Sequence, residues 1–112
     1  MSEIAEVDVG DVTAILDGGG ILLDVREPEE WEAGHAPAAR HVPLGQLPDR
    51  IGDLSGDRRI VVVCRSGGRS ALATEWLTTA GLDAANLVGG MREWALRGMV
   101  VETDDGTPGR VA

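Results

Sequence analysis

Several residue types are missing from this chain of 112 residues. It has no lysine, phenylalanine or tyrosine, so its ten cationic side chains are all arginine and its three aromatic side chains are all tryptophan. The interior must therefore be built mainly from Val, Ile, Leu and Ala. At 43% hydrophobic residues the chain can form an ordinary core, and its length fits one domain without room for a second.

Positive charge is also scarce, since the formal net charge is −9 at pH 7. An acidic surface repels nucleic acids and anionic membranes, so we expect neither as a partner. The arginines are not spread evenly, however. Arg65 and Arg69 lie within five residues of the only cysteine, Cys64. This local cluster of positive charge indicates an anion-binding site.

Cys64 has no second cysteine to pair with, so nothing in the sequence requires an oxidising compartment. The amino-terminal residues are acidic and polar without an apolar signal region, and no stretch approaches the roughly 18 apolar residues of a membrane span. We therefore expect a cytoplasmic protein. One cysteine and two poorly spaced histidines are too few for a metal site, and we predict neither a metal nor a cofactor.

Strand-like and helix-like segments alternate along the chain, which predicts an α/β fold with a largely parallel sheet. The strands are expected at residues 21–25, 40–42, 60–64 and 86–88. Helices are expected after an N-cap at Asp8 supported by Asp11, from Pro28, near 44–54, over 70–80 and over 91–97. The polar, turn-rich end of the chain predicts a domain over residues 1–102 and a flexible tail over 103–112.

The most informative unit is a buried strand that ends at Cys64 and is followed by a glycine-containing loop and a helix. In an open α/β sheet, ligands bind at the carboxyl ends of the strands, where Cys64 lies. Gly67 and Gly68 allow a tight loop whose backbone N–H groups point inward, and such a nest at a helix N-terminus binds anions. The same field favours thiolate over thiol, and we expect Arg65 and Arg69 to add to it.

Other interpretations stay open for several residues. Cys64 could be a small buried core residue, although the charged and flexible segment after it favours a reactive thiol. We expect Asp24 to cap nearby backbone N–H groups and Arg26 to pair with an acidic neighbour such as Glu27. His35 could form an ion pair with Cys64 as in cysteine proteases, but a structural role is the stronger interpretation. Trp94 either lines the mouth of the site or belongs to the core.

Four segments in order resemble the rhodanese superfamily, and together they span roughly residues 5–101. The loop Cys64-Arg65-Ser66-Gly67-Gly68-Arg69-Ser70 resembles the active-site loop of the single-domain thiosulfate sulfurtransferases. The other three segments are Leu23-Asp24-Val25-Arg26-Glu27, Gly34-His35-Ala36-Pro37-Ala38-Ala39, and Gly89-Gly90-Met91-Arg92-Glu93-Trp94 followed by Gly98.

The resemblance implies a five-stranded, mainly parallel sheet with helices on both faces. It also implies that Cys64 is a nucleophile that carries a persulfide. Backbone N–H groups of the loop would hold the outer sulfur, and Arg65 and Arg69 would hold an anionic donor such as thiosulfate. The substrate-binding set is Arg65, Ser66, Gly67, Gly68, Arg69 and Ser70. The acceptor would be cyanide, a thiol or a protein.

Two further functions are weighed against this one. Phosphatases with a cysteinyl-phosphate intermediate resemble this loop but have a Cys-x5-Arg spacing, whereas Cys64 and Arg69 are spaced as Cys-x4-Arg. The shorter loop suits a single sulfur atom, so phosphatase or arsenate reductase activity is disfavoured. A persulfide carrier or sensing module that docks on a partner protein stays as the main alternative, because the chain has no second domain.

Overall fold

The computed structural model describes residues 3–54 and 56–112. Its centre is a five-stranded sheet in which every pair of neighbouring strands is parallel. The strands are β1 (Ala5–Val7), β2 (Ile21–Asp24), β3 (Arg40–His41), β4 (Ile60–Val63) and β5 (Ala84–Leu87), in the spatial order β1-β5-β4-β2-β3. The predicted α/β class and the five-stranded parallel sheet are confirmed. The fifth strand, β1, was not predicted from its own residues.

In the described residues four α-helices connect the strands and a fifth follows β5: α1 (Val9–Asp17), α2 (Pro28–Ala33), α3 (Leu47–Arg50), α4 (Gly68–Thr79) and α5 (Gly90–Leu96). The predicted capping box of α1 is present, since Asp8 and Asp11 each accept a hydrogen bond from the other's backbone N–H at 3.1 Å. The single helix predicted near residues 44–54 is wrong: α3 is flanked by the 3-10 turns Leu44–Gln46 and Ile51–Asp53. Pro48 lacks a backbone N–H and suits the start of a helix rather than its interior.

The inner strands alternate their side chains between two hydrophobic clusters, one on each face of the sheet. One cluster joins Leu23 and Val62 to Leu77 of α4. The other joins Val61 to Met91 and Trp94 of α5. Helices therefore cover both faces, as expected for strands with continuous apolar runs.

Two helices bury polar groups that find hydrogen-bond partners inside the domain. On α4 the small polar Thr74 is buried, whereas Leu72 is 42% exposed. Thr74 is tolerated there because its hydroxyl donates to the Ser70 carbonyl oxygen at 2.7 Å. Trp94 belongs to the core, and its indole N–H donates to the Val100 carbonyl oxygen at 2.8 Å.

The segment after residue 102 lies against the body of the domain. Gly109 donates its backbone N–H to Val101, and Arg110 donates to Ala33, each at 2.9 Å. Glu102 also forms isolated bridges with His35 and with Pro108. The flexibility of residues 103–112 stays a prediction, but these contacts place their backbone on the domain rather than away from it.

Asp24 and Arg26 form a fully buried ion pair at the end of β2. Asp24 accepts from the backbone N–H of Arg26 at 3.0 Å and from its Nη2 at 2.8 Å, while the same Nη2 donates to the Gly34 carbonyl oxygen at 2.8 Å. The local capping role of Asp24 is confirmed. Arg26 pairs with an acidic neighbour as expected, but that neighbour is Asp24 and not Glu27.

Breaking this pair should be more costly than removing it. Asp24→Leu leaves the Arg26 guanidinium buried and unpaired, and we expect it to lower the free energy of unfolding by about 3–5 kcal/mol. The double variant Asp24→Leu/Arg26→Met should be clearly more stable than Asp24→Leu in urea denaturation. As a control, Arg97→Gln removes the exposed pair with Glu93 and should change stability by less than about 1 kcal/mol. A double variant no more stable than Asp24→Leu would contradict the interpretation.

Candidate functional site

Cys64 follows β4 directly, at the carboxyl edge of the sheet, and is only 1% exposed. The residues that come after it turn over the thiol and are themselves exposed at Arg65, Ser66 and Gly68. Cys64 Sγ accepts the backbone N–H of Gly67 at 3.1 Å, and the Ser70 hydroxyl lies 3.2 Å from it. The sulfur is therefore buried beneath an exposed loop, with hydrogen-bond donors directed at it.

Glycine is required at Gly67 for this arrangement. Its φ of 121° lies in a region that other residues avoid, and it precedes the first residue of α4. This turn sends the Gly67 N–H back toward Sγ instead of along the chain. The predicted inward-facing nest thus has a clear conformational basis.

The start of α5 holds the other side of the loop. The backbone N–H groups of Met91 and Arg92 donate to the carbonyl oxygens of Cys64 and Arg65 at 2.8 and 3.0 Å. A Cβ on Gly90 would lie 2.5 Å from the Cys64 carbonyl oxygen, which is too close for any side chain. These contacts occupy the carbonyl oxygens of Cys64 and Arg65 and explain why residue 90 is a glycine.

The surroundings change the acidity of the thiol in two opposite directions. Burial raises the pKa of Cys64, because it disfavours the charged form. Hydrogen bonds from the Ser70 hydroxyl and from the backbone N–H groups of Ser70, Gly67 and Ser66 lower the pKa, and they outweigh burial. The net result is a thiol whose pKa lies below its ordinary value, as the loop composition predicts.

Arg65 and Arg69 each contact a group other than the Cys64 sulfur. Arg69 is engaged with Glu30 of α2 through hydrogen bonds of 2.6 and 2.9 Å, and this pairing lowers the pKa of Glu30 to about 2. The pKa of Arg69 is raised first by Glu30 and only weakly by Cys64. Arg65 donates its Nε to the Ala112 carbonyl oxygen at 3.1 Å. Hydrogen-bond donors, and not these guanidinium groups, are the main cause of the lowered thiol pKa.

Asn86 is a site residue that the sequence reasoning missed. It lies on β5, the residue is 5% exposed, and its Oδ1 is 2.6 Å from the Ser70 hydroxyl. Its Nδ2 donates to the Gly67 carbonyl oxygen at 3.3 Å. The available signal was a polar amide in a strand whose other residues, Ala84, Ala85 and Leu87, are all apolar.

Both histidines make contacts away from the thiol. The His35 ring stacks on Trp31 with centroids 3.6 Å apart, its Nδ1 is 2.8 Å from the Trp31 carbonyl oxygen and its Nε2 is 3.3 Å from Asp104. The His41 ring stacks on Trp31 as well, at 4.7 Å. These contacts agree with the structural role expected for His35, and they give no support to the alternative role as a base for Cys64.

A cavity of about 380 Å³ lies elsewhere, at the amino-terminal edge of β2 and β4. Its lining residues are Ala14, Ile15, Gly18, Gly19, Gly20, Asp57, Arg58 and Arg59. The hydrogen bonds on Cys64 are at the opposite edge of the sheet, so this cavity is not the site that the loop forms. Across residues 3–54 and 56–112, no helix is long and apolar enough to cross a bilayer.

The fold and the loop define an α/β domain with an activated cysteine at the end of its central strand. The family model of the rhodanese-like domain matches residues 8–97, which include Cys64, its loop and the start of α5. The chain therefore belongs to the rhodanese-like domain family, and the predicted resemblance is confirmed.

Three relatives illustrate the range of the family. The chain is 42% identical over 90 residues to an HTH-type transcriptional regulator of Mycobacterium tuberculosis, with 78% of this chain and 38% of the regulator matched. It is 30% identical over 95 residues to the thiosulfate sulfurtransferase GlpE of Pseudomonas syringae, covering 84% of this chain and 90% of that protein. The crystal structure of a rhodanese-related protein from Thermoplasma volcanium matches with a TM-score of 0.81 at 30% identity, covering 87% and 96% of the two chains. The chain thus spans less than two fifths of the length of the regulator.

Removing the Ser70 hydroxyl should raise the pKa of Cys64, because burial would then be opposed by fewer hydrogen bonds. For Ser70→Ala we expect the pH profile of alkylation by iodoacetamide to move upward by about one pH unit, which corresponds to about a tenfold loss of thiolate below the pKa. Ser66→Ala is the control, since Ser66 acts through its backbone N–H, and its profile should match that of the wild type. An unchanged profile for Ser70→Ala would contradict the assignment.

Proposed function

We propose that this chain is a sulfurtransferase that takes a sulfane sulfur from thiosulfate and carries it as a persulfide on Cys64. The observation that carries the proposal is the set of donors directed at Cys64 Sγ, the Gly67 N–H at 3.1 Å and the Ser70 hydroxyl at 3.2 Å. They favour an ionised sulfur without a neighbouring base. The sulfurtransferase named among the relatives supports the same reaction class.

The reaction proceeds in two displacements at sulfur. The Cys64 thiolate attacks the outer sulfur of thiosulfate, the S–S bond of the donor breaks, and sulfite leaves with the electron pair. Cys64 then carries a persulfide whose negative charge lies on the outer sulfur. Cyanide or a thiol attacks that sulfur, the persulfide bond breaks, and the Cys64 thiolate is regenerated with thiocyanate or a new persulfide as the product.

The loop from Arg65 to Ser70 supplies the electrostatic stabilisation for both steps. The backbone N–H groups of Ser66, Gly67 and Ser70 face the buried sulfur, and we expect an outer sulfur on Sγ to extend toward the same amides and the exposed edge of the loop. The Cys-x4-Arg spacing of the loop suits one added sulfur atom, which favours sulfur transfer over phosphoryl transfer. Arg65 is exposed and is the cation we assign to attracting the anionic donor.

The donor should be turned over by the isolated chain. Incubation with thiosulfate and cyanide is expected to yield thiocyanate, measured by its coloured complex with ferric ion, with a ping-pong dependence on the two substrates. Cys64→Ser removes the nucleophile and should abolish turnover, whereas Cys64→Ser and wild type should unfold at similar urea concentrations. Turnover that survives Cys64→Ser would overturn the proposal.

The alternative function is a persulfide carrier or sensing module that acts with a partner protein. It is favoured by the regulator among the relatives, in which the matched part makes up 38% of the protein. Mass spectrometry of the thiosulfate-treated protein, combined with the thiocyanate assay, separates the two functions. A stable gain of about 32 Da on Cys64 (one sulfur atom) without thiocyanate release would favour the carrier, and rapid turnover without a partner would favour the enzyme. For either function we propose a cytoplasmic location, where the single cysteine stays reduced.

The pairing of Arg69 with Glu30 predicts a pH-dependent contribution to stability. The folded-state pKa of Glu30, about 2, lies below its ordinary value of 4.5, so this contribution is fully present above pH 4.5 and is lost as the pH falls toward 2. Glu30→Gln should lower the free energy of unfolding by about 1 kcal/mol at pH 7. That difference from the wild type should shrink between pH 4.5 and pH 2.

The control for this variant is Glu29→Gln on the same helix, because Glu29 is exposed and neighbours Glu30. Its effect on stability should be small at every pH. Glu30→Gln should also free the Arg69 guanidinium for an anionic donor and lower the KM for thiosulfate. A stability difference for Glu30→Gln that does not change with pH would contradict the assignment.

A further inference from the structure

The hydroxyl of Ser70 has more acceptors around it than it can satisfy. It has one proton, and its oxygen lies 2.6 Å from Asn86 Oδ1, 3.2 Å from Cys64 Sγ and 3.2 Å from the Gly67 carbonyl oxygen. Ser70 is fully buried and Asn86 is 5% exposed, so bulk water does not compete freely for these groups. The Ser70 hydroxyl can therefore donate its single proton to only one of these three protein atoms at a time.

The Gly67 carbonyl oxygen does not need this proton. It already accepts the backbone N–H of Ala71 at 3.0 Å and Nδ2 of Asn86 at 3.3 Å. The second of these contacts also orients the Asn86 amide, because with Nδ2 on Gly67 the amide oxygen faces Ser70. Asn86 Oδ1 and Cys64 Sγ are thus the two acceptors that compete for the Ser70 hydroxyl proton.

We propose that Asn86 is a positioning residue that acts through Ser70 and limits the hydrogen bonding available to the Cys64 sulfur. When the thiol is protonated, the Ser70 hydroxyl donates to Asn86. When the thiol loses its proton to solvent, the hydroxyl rotates about its Cβ–Oγ bond and donates to the thiolate. In the persulfide the charge moves to the outer sulfur, and the hydroxyl turns back to Asn86; this last step rests on the proposed function.

This competition has a use in sulfur transfer. A thiolate with a very low pKa is abundant but a weak nucleophile, and the best attacking thiol has a pKa near the ambient pH. The loop amides and Ser70 together lower the pKa of Cys64, and Asn86 restrains that effect by holding the proton in the resting state. Asn86 thereby keeps the sulfur more nucleophilic than an unrestrained Ser70 would.

The charged groups near the thiol are not altered by a change at Asn86. Arg69 of α4 is paired with Glu30 of α2, and Arg65 of the loop contacts Ala112. From α5, Arg92 contacts the loop through its backbone N–H. A change of thiol acidity in an Asn86 variant therefore reports on the hydroxyl of Ser70 rather than on these charges.

The test is a double-mutant cycle that reads the pKa of Cys64 from the pH profile of iodoacetamide alkylation. Asn86→Leu removes the competing acceptor, and we expect the pKa to fall by about one unit, a tenfold change in the thiolate-to-thiol ratio. In a Ser70→Ala background the same substitution should leave the pKa unchanged, because no hydroxyl is present to be released. An unchanged pKa in the Asn86→Leu variant, or an equal fall in both backgrounds, would overturn the inference.

Two further variants keep the test decisive. Asn86→Val suits a strand and also lacks the acceptor, so it should lower the pKa in the same direction if Asn86→Leu does not fold, as judged by circular dichroism. Thr74→Val is the control: it removes a buried hydroxyl that bonds the Ser70 carbonyl oxygen, and it should leave the pKa of Cys64 unchanged. The cycle needs no sulfur donor. If the wild type does not turn over thiosulfate, the proposed function is contradicted. The role of Asn86 is then still decided by the pKa values of the cycle.

Discussion

The site depends on one interaction, the hydrogen bonding of the Cys64 sulfur by groups of its own loop. A buried thiol in an apolar core is inert, because burial disfavours the thiolate. Here the Gly67 N–H and the Ser70 hydroxyl lie 3.1 and 3.2 Å from the sulfur and reverse that effect. Without these donors the same residue at the end of β4 would be an ordinary core cysteine. The loop geometry, and not exposure, thus accounts for the lowered pKa of this thiol.

The rest of the domain holds that geometry in place. β4 is the middle strand of the sheet and is buried on both faces, so Cys64 begins the loop from a fixed point. The start of α5 binds the carbonyl oxygens of Cys64 and Arg65, and the close approach of Gly90 leaves no room for a side chain. With its carbonyls held on one side, the loop can direct its N–H groups to the other. Packing on β4 and α5 is therefore part of the chemistry of the site.

The local part of this arrangement could be predicted from the sequence, whereas the long-range part could not. A β-branched run followed by Cys64 and a pair of glycines specifies strand, nest and helix through backbone preferences alone. The contact of Arg69 with Glu30 joins residues 39 positions apart, and that of Ser70 with Asn86 joins residues 16 apart. No periodicity encodes such pairs, because they depend on how α2 and β5 pack beside the loop. The strand β1 escaped prediction because it is short and largely exposed at the edge of the sheet.

The pairing of Arg69 with Glu30 reduces the positive charge that Arg69 contributes near the Cys64 sulfur. A free arginine beside the thiol would attract every anion and would be screened by salt. Because Glu30 largely neutralises the charge of Arg69, the positive potential at the Cys64 sulfur comes mainly from the dipoles of backbone amides that are fixed within hydrogen-bond distance of it. Such dipoles act at short range and need no reorganisation when charge develops. This explains how a chain with a net charge of −9 can favour the ionised form of one sulfur that is buried beneath a loop.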